Sequence, residues 1–312
     1  PVAGNHTGEP GHATAFKDSF LTQAWRWNVD YVVDVHGNSM TYLYGRETNR
    51  YRQSDAKKSV AYHRAGYLKQ IEYGERKGSE ATTDAPAQVT FTTAERCIPT
   101  SDFDCAASKM VANPSKWPDT PVDQVCTNTT QCKLTQGGPT FFTTKRLTRV
   151  YTEILNAADG SYPDVDSWKL TQSFPRTGDG LSPALWLDTI THTGAVGTSV
   201  AMPPVTITGD ELPNRVEGTD GGPLLYKRRV GSILTETGGQ ISVSYAKAEC
   251  TASALPSPAS NTKRCFPSYW TPTDGSVSGG ELLGWFHKYP VTQVVESDLV
   301  AGGADKVTRY EY

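Results

Sequence analysis

Apolar and polar side chains alternate along many short stretches of this chain, which is the period of a β-strand with one buried face. The clearest alternation covers residues 25–33, where Trp25 and Trp27 share one face with three β-branched or aromatic residues. Polar residues occupy most of the positions between them. The pattern predicts a strand over residues 25–33 with both tryptophans in the core.

Two β-hairpins are predicted from alternating runs that flank turn-forming residues. Residues 34–38 end in Gly-Asn, and the alternation resumes over residues 39–44. Residues 230–237 and 240–245 flank a Gly-Gly pair in the same way. Glycine and asparagine tolerate the positive φ angles that tight hairpin turns require, so both sites are expected to reverse the chain.

The rest of the chain follows the same pattern and predicts an all-β fold of long antiparallel strands and hairpins. Further strands are predicted at residues 67–73, 87–94, 146–155, 167–174, 185–193, 285–289, 291–298 and 307–312. Apolar stripes of helical period do not exceed two turns. The best candidate for a short helix is residues 104–112, with Asp104 as N-cap.

Composition supports strands and gives no sign of a nucleic-acid or membrane partner. The chain of 312 residues contains 15 Tyr, 7 Trp, 28 Gly and 20 Pro, residues typical of strands and turns. Its net charge of −3 is not the basic footprint of a nucleic-acid-binding protein. No apolar stretch approaches the ~20 residues of a membrane span. We predict a flexible, polar lead-in over residues 1–22 and a single β module over residues 23–312.

The six cysteines fall into three closely spaced pairs, which predicts three local disulfides. The pairs are Cys97/Cys105, Cys126/Cys132 and Cys250/Cys265. A zinc site is the weaker reading, because zinc knuckles are usually Cys-x-x-Cys or paired with histidine. Disulfides persist in oxidising compartments, so the protein is expected to be secreted or at the cell surface. The pairs lie in Pro-rich stretches, which predicts two stapled loop insertions at about residues 97–132 and 250–265.

Motifs of catalysis are weak, so no catalytic residue is predicted and the chain is expected not to be an enzyme. The six histidines form no zinc-binding pattern, and there is no nucleophile elbow or phosphate-binding loop. Residues 54–57 match Ser-x-x-Lys but lack the companion elements of penicillin-recognising enzymes. A secreted hydrolase remains an alternative, which acidic residues or histidines converging from residues 159–220 would support.

Acidic turns and loop tryptophans are the remaining candidates for binding. Asp159, Asp164, Asp166 and Asp179 lie near glycine-containing turns. Such carboxylates can bind calcium, but aspartate is also an ordinary turn residue, and the turn reading is favoured. No other cofactor is predicted. Trp117 and Trp270 lie in loops beside proline-containing segments and are expected to make exposed contacts, including with cell-surface glycans.

Several phrases, in order along the chain, resemble the repeats of YD-repeat (Rhs) proteins. Residues 34–44 read Asp-x-His-Gly-Asn-x-x-Thr-Tyr-x-Tyr and resemble the Asp-x-x-Gly-Asn-x-x-x-Tyr-x-Tyr step of that family. Similar elements occur at residues 66–74, 145–150, 229–245 and 308–312. The stretch from about residue 23 to 312 resembles the region before or opening the repeat array in large secreted actinobacterial members. The repeats are irregular, and the family's self-cleavage motif and toxin domain are missing, so the chain is expected to be a segment of a longer polypeptide.

The resemblance implies an antiparallel ribbon wound into a hollow shell. In polymorphic toxins such a shell encloses a toxic payload, and in teneurin-like relatives it is a cell-surface adhesion scaffold. The expected function is therefore a structural segment of an extracellular shell that encloses or presents a toxin. Its expected partners are the remaining parts of the parent polypeptide or its payload. The first alternative is a carbohydrate- or surface-binding module of an adhesin.

Overall fold

The computed structural model describes residues 2–3, 6–53, 58–271 and 281–312, and within them the chain is nearly all β. The strands are β1 (Val2–Ala3), β2 (Phe20–Leu21), β3 (Tyr31–Val33), β4 (Asn38–Gln53), β5 (Lys58–Arg76), β6 (Ala87–Glu95), β7 (Lys145–Ile154), β8 (Asp164–Ser173), β9 (Trp186–Gly194), β10 (Val200–Ala201), β11 (Val205–Pro213), β12 (Tyr226–Leu234), β13 (Gly239–Tyr245), β14 (Cys265–Trp270), β15 (Leu282–His287), β16 (Val291–Asp298) and β17 (Lys306–Arg309). Short 3-10 helices occur at Phe16–Asp18, Ala107–Lys109, Pro114–Lys116, Val122–Gln124, Leu134–Gln136 and Pro258–Ser260. The predicted all-β class is confirmed.

The chain forms two compact units. The first contains Pro1–Leu170 and His192–Ala201, and the second contains Thr171–Thr191 and Met202–Tyr312. This division does not test whether residues 23–312 form a single β module, which stays a prediction.

In the first unit, β3 to β8 form an antiparallel sheet in which each strand pairs with the next along the chain. The longest pair is β4 and β5, with 16 and 19 residues. The sequence predicts a strand over residues 67–73, immediately before Gly74, but β5 continues to Arg76. Gly74 has φ +85° and lies at a register shift, between Met40↔Tyr73 and Ser39↔Glu75. It is therefore the extra residue of a β-bulge, a position that suits glycine.

The second unit contains an antiparallel sheet in the order β9-β11-β12-β13-β16-β17 and a separate β14-β15 pair. The predicted second hairpin is confirmed, since Leu234 pairs with Gln240 across the turn. Gly238 has φ +85° in that turn, and a Cβ there would lie 2.3 Å from Val300 Cγ2. The positive φ therefore favours glycine at this turn, and a larger side chain would also have to displace the exposed Val300.

The predicted strand over residues 25–33 is mostly wrong. Only Tyr31–Val33 is a strand, paired with β4 from Thr41 to Ser39. Trp27 is 83% exposed and Trp25 is 45% exposed, so neither lies in a core. Alternation predicts which side chains share a face of the strand, but it does not predict whether another layer covers that face.

The predicted helix over residues 104–112 is limited to one 3-10 turn at Ala107–Lys109. Cys105 has φ +56°, a left-handed conformation that an α-helix cannot contain. Asp104 Oδ1 accepts a hydrogen bond from the Ala106 amide, at 3.0 Å, as in an Asx turn. The disulfide residue therefore interrupts the helix that the local composition favours.

Most strand residues are half-buried on both faces. Every residue of β6 to β9, β11 to β13 and β16 is intermediate or exposed. A sheet covered on one side would alternate between buried and exposed residues. Within each unit these strands therefore form a single layer, and the largest fully buried side chains, Trp117 and Val216, lie outside them.

Candidate functional site

The three predicted disulfides are present: Cys97–Cys105, Cys126–Cys132 and Cys250–Cys265. The first two belong to residues 97–144, which we call the first lobe, and the third belongs to residues 246–265, the second lobe. Each lobe contributes to a small core of its own. The stapled insertions are thus confirmed as features of the fold.

The first lobe encloses Trp117, which is fully buried. Its neighbours in that core are Cys97, Cys105, Met110 and Val122. The expectation that Trp117 makes exposed contacts is therefore wrong. Trp117 is the largest side chain of this core, and Phe103 packs edge-on against it.

The first lobe packs against the far half of the β4-β5 hairpin through buried polar side chains. Asn49 Nδ2 donates to the Gln124 carbonyl at 2.8 Å, and the Cys126 amide donates to Asn49 Oδ1 at 3.0 Å. Tyr62 Oη donates to the Thr140 carbonyl at 2.6 Å and accepts from the Thr140 amide at 2.9 Å. One face of the hairpin is thereby covered, in contrast with the strands from β6 onward.

A buried ion pair completes this contact. Arg64 Nη2 lies 3.0 Å from Glu47 Oε2, and the two side chains are 8% and 4% exposed. Glu47 also accepts hydrogen bonds from the Thr143 hydroxyl and from the amide and hydroxyl of Thr144. Burial alone would raise the pKa of Glu47, but these hydrogen bonds and the Arg64 charge outweigh it and lower the pKa. Glu47 is therefore held as a carboxylate between the hairpin and the end of the lobe.

Beside this contact lies a groove with aromatic walls, formed by two adjoining cavities of about 570 Å³ each. We call it the aromatic groove. Both cavities are lined by Trp25, Arg26, Ala65, Gly66 and Phe141. The Trp25 indole donates to the His63 carbonyl at 2.9 Å, which holds the segment before β3 over the hairpin. Because this segment is not paired as a strand, its side chains are free to line the cavities.

In the second unit, the disulfide Cys250–Cys265 packs with Val216 and Trp285 in a buried cluster. Next to it, Arg215 Nε lies 3.4 Å from Asp220 Oδ2, and both side chains are almost fully buried. The Trp270 indole donates to Asp220 Oδ2 at 2.8 Å, and the Arg215 guanidinium lies 4.3 Å from a Trp270 ring centre. Trp270 is thus half-buried and engaged within its own unit.

Three of the four acidic candidates for calcium have polar partners: Asp159, Asp166 and Asp179. Asp159 accepts hydrogen bonds from the amide and hydroxyl of Ser161, which lower its pKa. Asp166 lies 2.8 Å from His192 Nε2, and Asp164 lies two residues before it on β8. Asp179 accepts from Thr177 Oγ1 and from the amides of Leu181 and Tyr226. In the described part of the chain, no three His, Cys, Asp or Glu side chains form a group that could hold a metal ion.

We therefore expect chelation with EDTA to leave the melting temperature unchanged. With free calcium at a hundred times its dissociation constant, a calcium site would add about 2.7 kcal/mol to the free energy of unfolding. Chelation would remove this contribution. Thermal unfolding followed by circular dichroism, with EDTA and then with excess calcium, measures this contribution. A fall in the melting temperature with EDTA that calcium restores would show that the aspartates hold an ion.

The structure brings together one pair that the hydrolase alternative requires. His192 and Asp166 are in contact, and the His192 ring lies parallel to Trp168 at 4.9 Å. Their side chains are 27% and 33% exposed on the sheet surface. The Ser-x-x-Lys match at residues 54–57 lies outside the described residues. Sequence reasoning did not find this pair because its members lie on different strands, 26 residues apart.

No protein-family model matches the chain, and no curated protein matches it significantly. A solved structure described as "Crystal Structure of TcdB2-TccC3" is similar to it, with 13% sequence identity and a TM-score of 0.33. The alignment covers 84% of this chain and 14% of that chain. The present chain therefore spans a small part of the length of the protein it matches. Among the described residues, no helix is long and apolar enough to cross a membrane.

Proposed function

We propose that this chain is a structural segment of an extracellular β shell of the YD-repeat (Rhs) type, which encloses or presents a toxin payload. The observation that carries the proposal is the single-layer sheet. From β6 to β9 every residue is half-buried or exposed, although the strands contain large apolar side chains such as Phe91, Trp168 and Trp186. Such a sheet is suited to face solvent on one side and an enclosed content on the other.

The connectivity of the strands supports the same role. In the first unit each strand from β3 to β8 pairs with its successor, so the chain extends a ribbon without crossovers. Each added strand covers the backbone edge of the one before it. A wall can grow in this way to any length, and its partners are the remaining parts of the parent polypeptide or the payload.

The disulfide lobes are consistent with a scaffold outside the cell. Disulfides persist in oxidising compartments, which supports a secreted or cell-surface location. The buried polar contacts of the first lobe stiffen one end of the longest hairpin. In this proposal the chain has no catalytic step of its own, and the His192–Asp166 pair links two strands.

Hydroxyl-radical footprinting of the secreted parent protein and of this chain alone would test the proposal. Phe91, Val150 and Trp168 lie directly opposite one another on neighbouring strands and share a face, whereas Tyr151 lies on the other face. If the chain is part of a shell, hydroxyl-radical labelling of the residues on one face is several-fold weaker in the parent than in the isolated chain. The reason is that an enclosed content covers one face only. The residues on the other face serve as the internal control.

Two results would contradict the shell role. If each face is labelled as strongly in the parent as in the isolated chain, neither face encloses anything. The sequence that flanks residues 1 and 312 in the parent gene offers a separate check, since a shell segment must continue into further YD-type repeats.

A further inference from the structure

The aromatic groove is the feature of the first unit that a role as a wall leaves unexplained. We propose that it binds an acidic peptide segment in which carboxylates flank an aromatic or aliphatic side chain. The inference stands without the shell role, because it depends only on the walls of the groove and their charge.

The apolar part of the groove is a pair of exposed rings, one of which packs on the buried ring of Tyr62. The ring centres of Trp25 and Phe141 are 4.3 Å apart, and the Tyr62 ring meets Phe141 edge-on at 5.7 Å. Trp25 and Phe141 are 45% and 46% exposed. A cavity of about 570 Å³ is within the range of about 300–1,000 Å³ that is typical of small-ligand sites. It can therefore enclose the side chains of a short peptide.

The charged part of the groove is positive. Neither cavity has an aspartate or glutamate in its wall. The charges of Arg64 and Lys145 are balanced from behind by Glu47 and Glu95.

Arg26 and Arg46 have no such partner. Both line the second cavity, and neither forms an ion pair with any residue that the structure describes. Their guanidinium groups donate in a planar fork that suits a carboxylate, and cations beside rings also favour aromatic ligands. In a chain of net charge −3, this local excess of positive charge selects an anionic partner.

The lack of carboxylates in the walls favours an acidic peptide over a neutral sugar. Sugar hydroxyls need acceptors as well as donors, and carboxylates and amides usually supply the acceptors. The side chains of the first cavity offer hydroxyls, at Tyr67, Thr93 and Thr143, and otherwise cations and apolar groups. The second cavity adds the amides of Gln23 and Asn28 but no carboxylate. Two uncompensated arginines are too few to hold a nucleic-acid backbone at physiological salt.

Isothermal titration calorimetry of the chain with a defined peptide tests this site. The probe is the acetylated and amidated hexapeptide Asp-Leu-Phe-Glu-Phe-Asp, and its matched control is Asn-Leu-Phe-Gln-Phe-Asn. We expect one-site binding of the acidic peptide that weakens as salt rises, because its carboxylates are partly screened. The amide peptide is expected to bind at least about tenfold more weakly, because it keeps the apolar side chains and loses the charge.

Two variants test separately the positive charge of the groove and the space inside it. In R26Q/R46Q we expect binding of the acidic peptide to weaken at least about tenfold. The charge-matched control is K227Q/R309Q, which changes two exposed cations of the second unit and is expected to bind as the parent does.

In Gly66→Leu the new side chain enters the groove, since a Cβ at Gly66 lies 3.4 Å from the Gly45 carbonyl oxygen and 3.9 Å from Asn28 Nδ2. We expect no measurable binding to it, whereas Gly178→Leu, in open space, binds normally.

The melting temperature of each variant shows whether it is folded, and the arginine variant carries the test if Gly66→Leu unfolds. Absence of binding by the acidic peptide would overturn the proposal. So would equal binding of the two peptides, or full binding by R26Q/R46Q. Binding of a neutral oligosaccharide such as maltohexaose in place of the peptide would assign the groove to glycans instead. None of these results alters the footprint expected for the shell role.

Discussion

Replacing Arg64 with methionine is expected to lower the free energy of unfolding by about 3–5 kcal/mol, the cost of leaving one member of a buried ion pair uncompensated. Arg64 and Glu47 are 8% and 4% exposed, so water cannot replace the lost partner. Arg64 Nη2 also donates to Thr144 Oγ1 at 2.9 Å, so the variant weakens the contact between the hairpin and the first lobe as well. Urea unfolding of Arg64→Met and of the parent chain measures the difference.

The chain contains a matched control for this variant. Lys306 and Glu296 form an ion pair at 2.8 Å, with side chains 74% and 48% exposed. Lys306→Met removes a cation in the same way, but an exposed pair contributes at most about 1 kcal/mol. Equal effects of Arg64→Met and Lys306→Met would contradict a structural role for the buried pair.

The same contact gives a pH dependence with a definite sign. The pKa of Glu47 is lowered from its ordinary value of 4.5. The unfolded chain therefore binds the proton more readily, and the stabilisation by Glu47 is complete above pH 4.5 and is lost as pH falls through the lowered pKa. Glu47→Gln is already destabilised at neutral pH, so its stability is expected to change less on acidification than that of the parent.

Removing the two disulfides of the first lobe is expected to loosen the far half of the β4-β5 hairpin together with the lobe. Replacing both pairs with alanine should cost on the order of 2–4 kcal/mol for each disulfide. Cys126 is central, because its amide donates to Asn49 while its sulfur joins Cys132. Hydrogen exchange should then show lost protection over residues 97–144, 46–53 and 58–64, and retained protection in β6 and β7.

Removal of the third disulfide is the control for this prediction. Cys250 and Cys265 belong to the second unit, and their buried neighbours are Val216 and Trp285. Hydrogen exchange in this variant should increase around the second lobe and leave residues 46–53 and 58–64 protected. Uniform loss of protection across both units in either variant would show that the disulfides support the whole sheet and not their own lobes.

Local chemistry was sufficient to predict the hairpins and the disulfides. The turn between β12 and β13 has a Gly-Gly pair, and Gly238 adopts the positive φ that such a turn needs. The cysteine pairs are close in sequence, so chain connectivity alone brings their members together. The predicted bounds of β6 and β16 agree with the structure to within a residue, because each strand begins directly after a proline and is rich in β-branched residues.

Strands with a broken pattern were not found. In β11 the residues Gly209, Asp210 and Glu211 interrupt the apolar positions, and a register shift lies between Thr208 and Gly209. Gly209 is required there, because a Cβ would lie 2.6 Å from Arg228 Cγ and 2.8 Å from the Trp186 ring. A residue that reads as a turn in the sequence is thus a point of close packing between strands.

The sequence by itself determined an all-β chain, its principal turns and its three disulfides, because these depend on φ preferences, side-chain alternation and short chain separations. Only the tertiary structure decided which surfaces are covered. Trp27 in a regular alternation is exposed, whereas Trp117 in an irregular loop is fully buried. Glu47 likewise meets Thr144, which is 97 residues away along the chain, and the aromatic groove brings Trp25 beside Phe141. Burial and ion pairing depend on which segments meet in space, and local sequence does not specify that meeting.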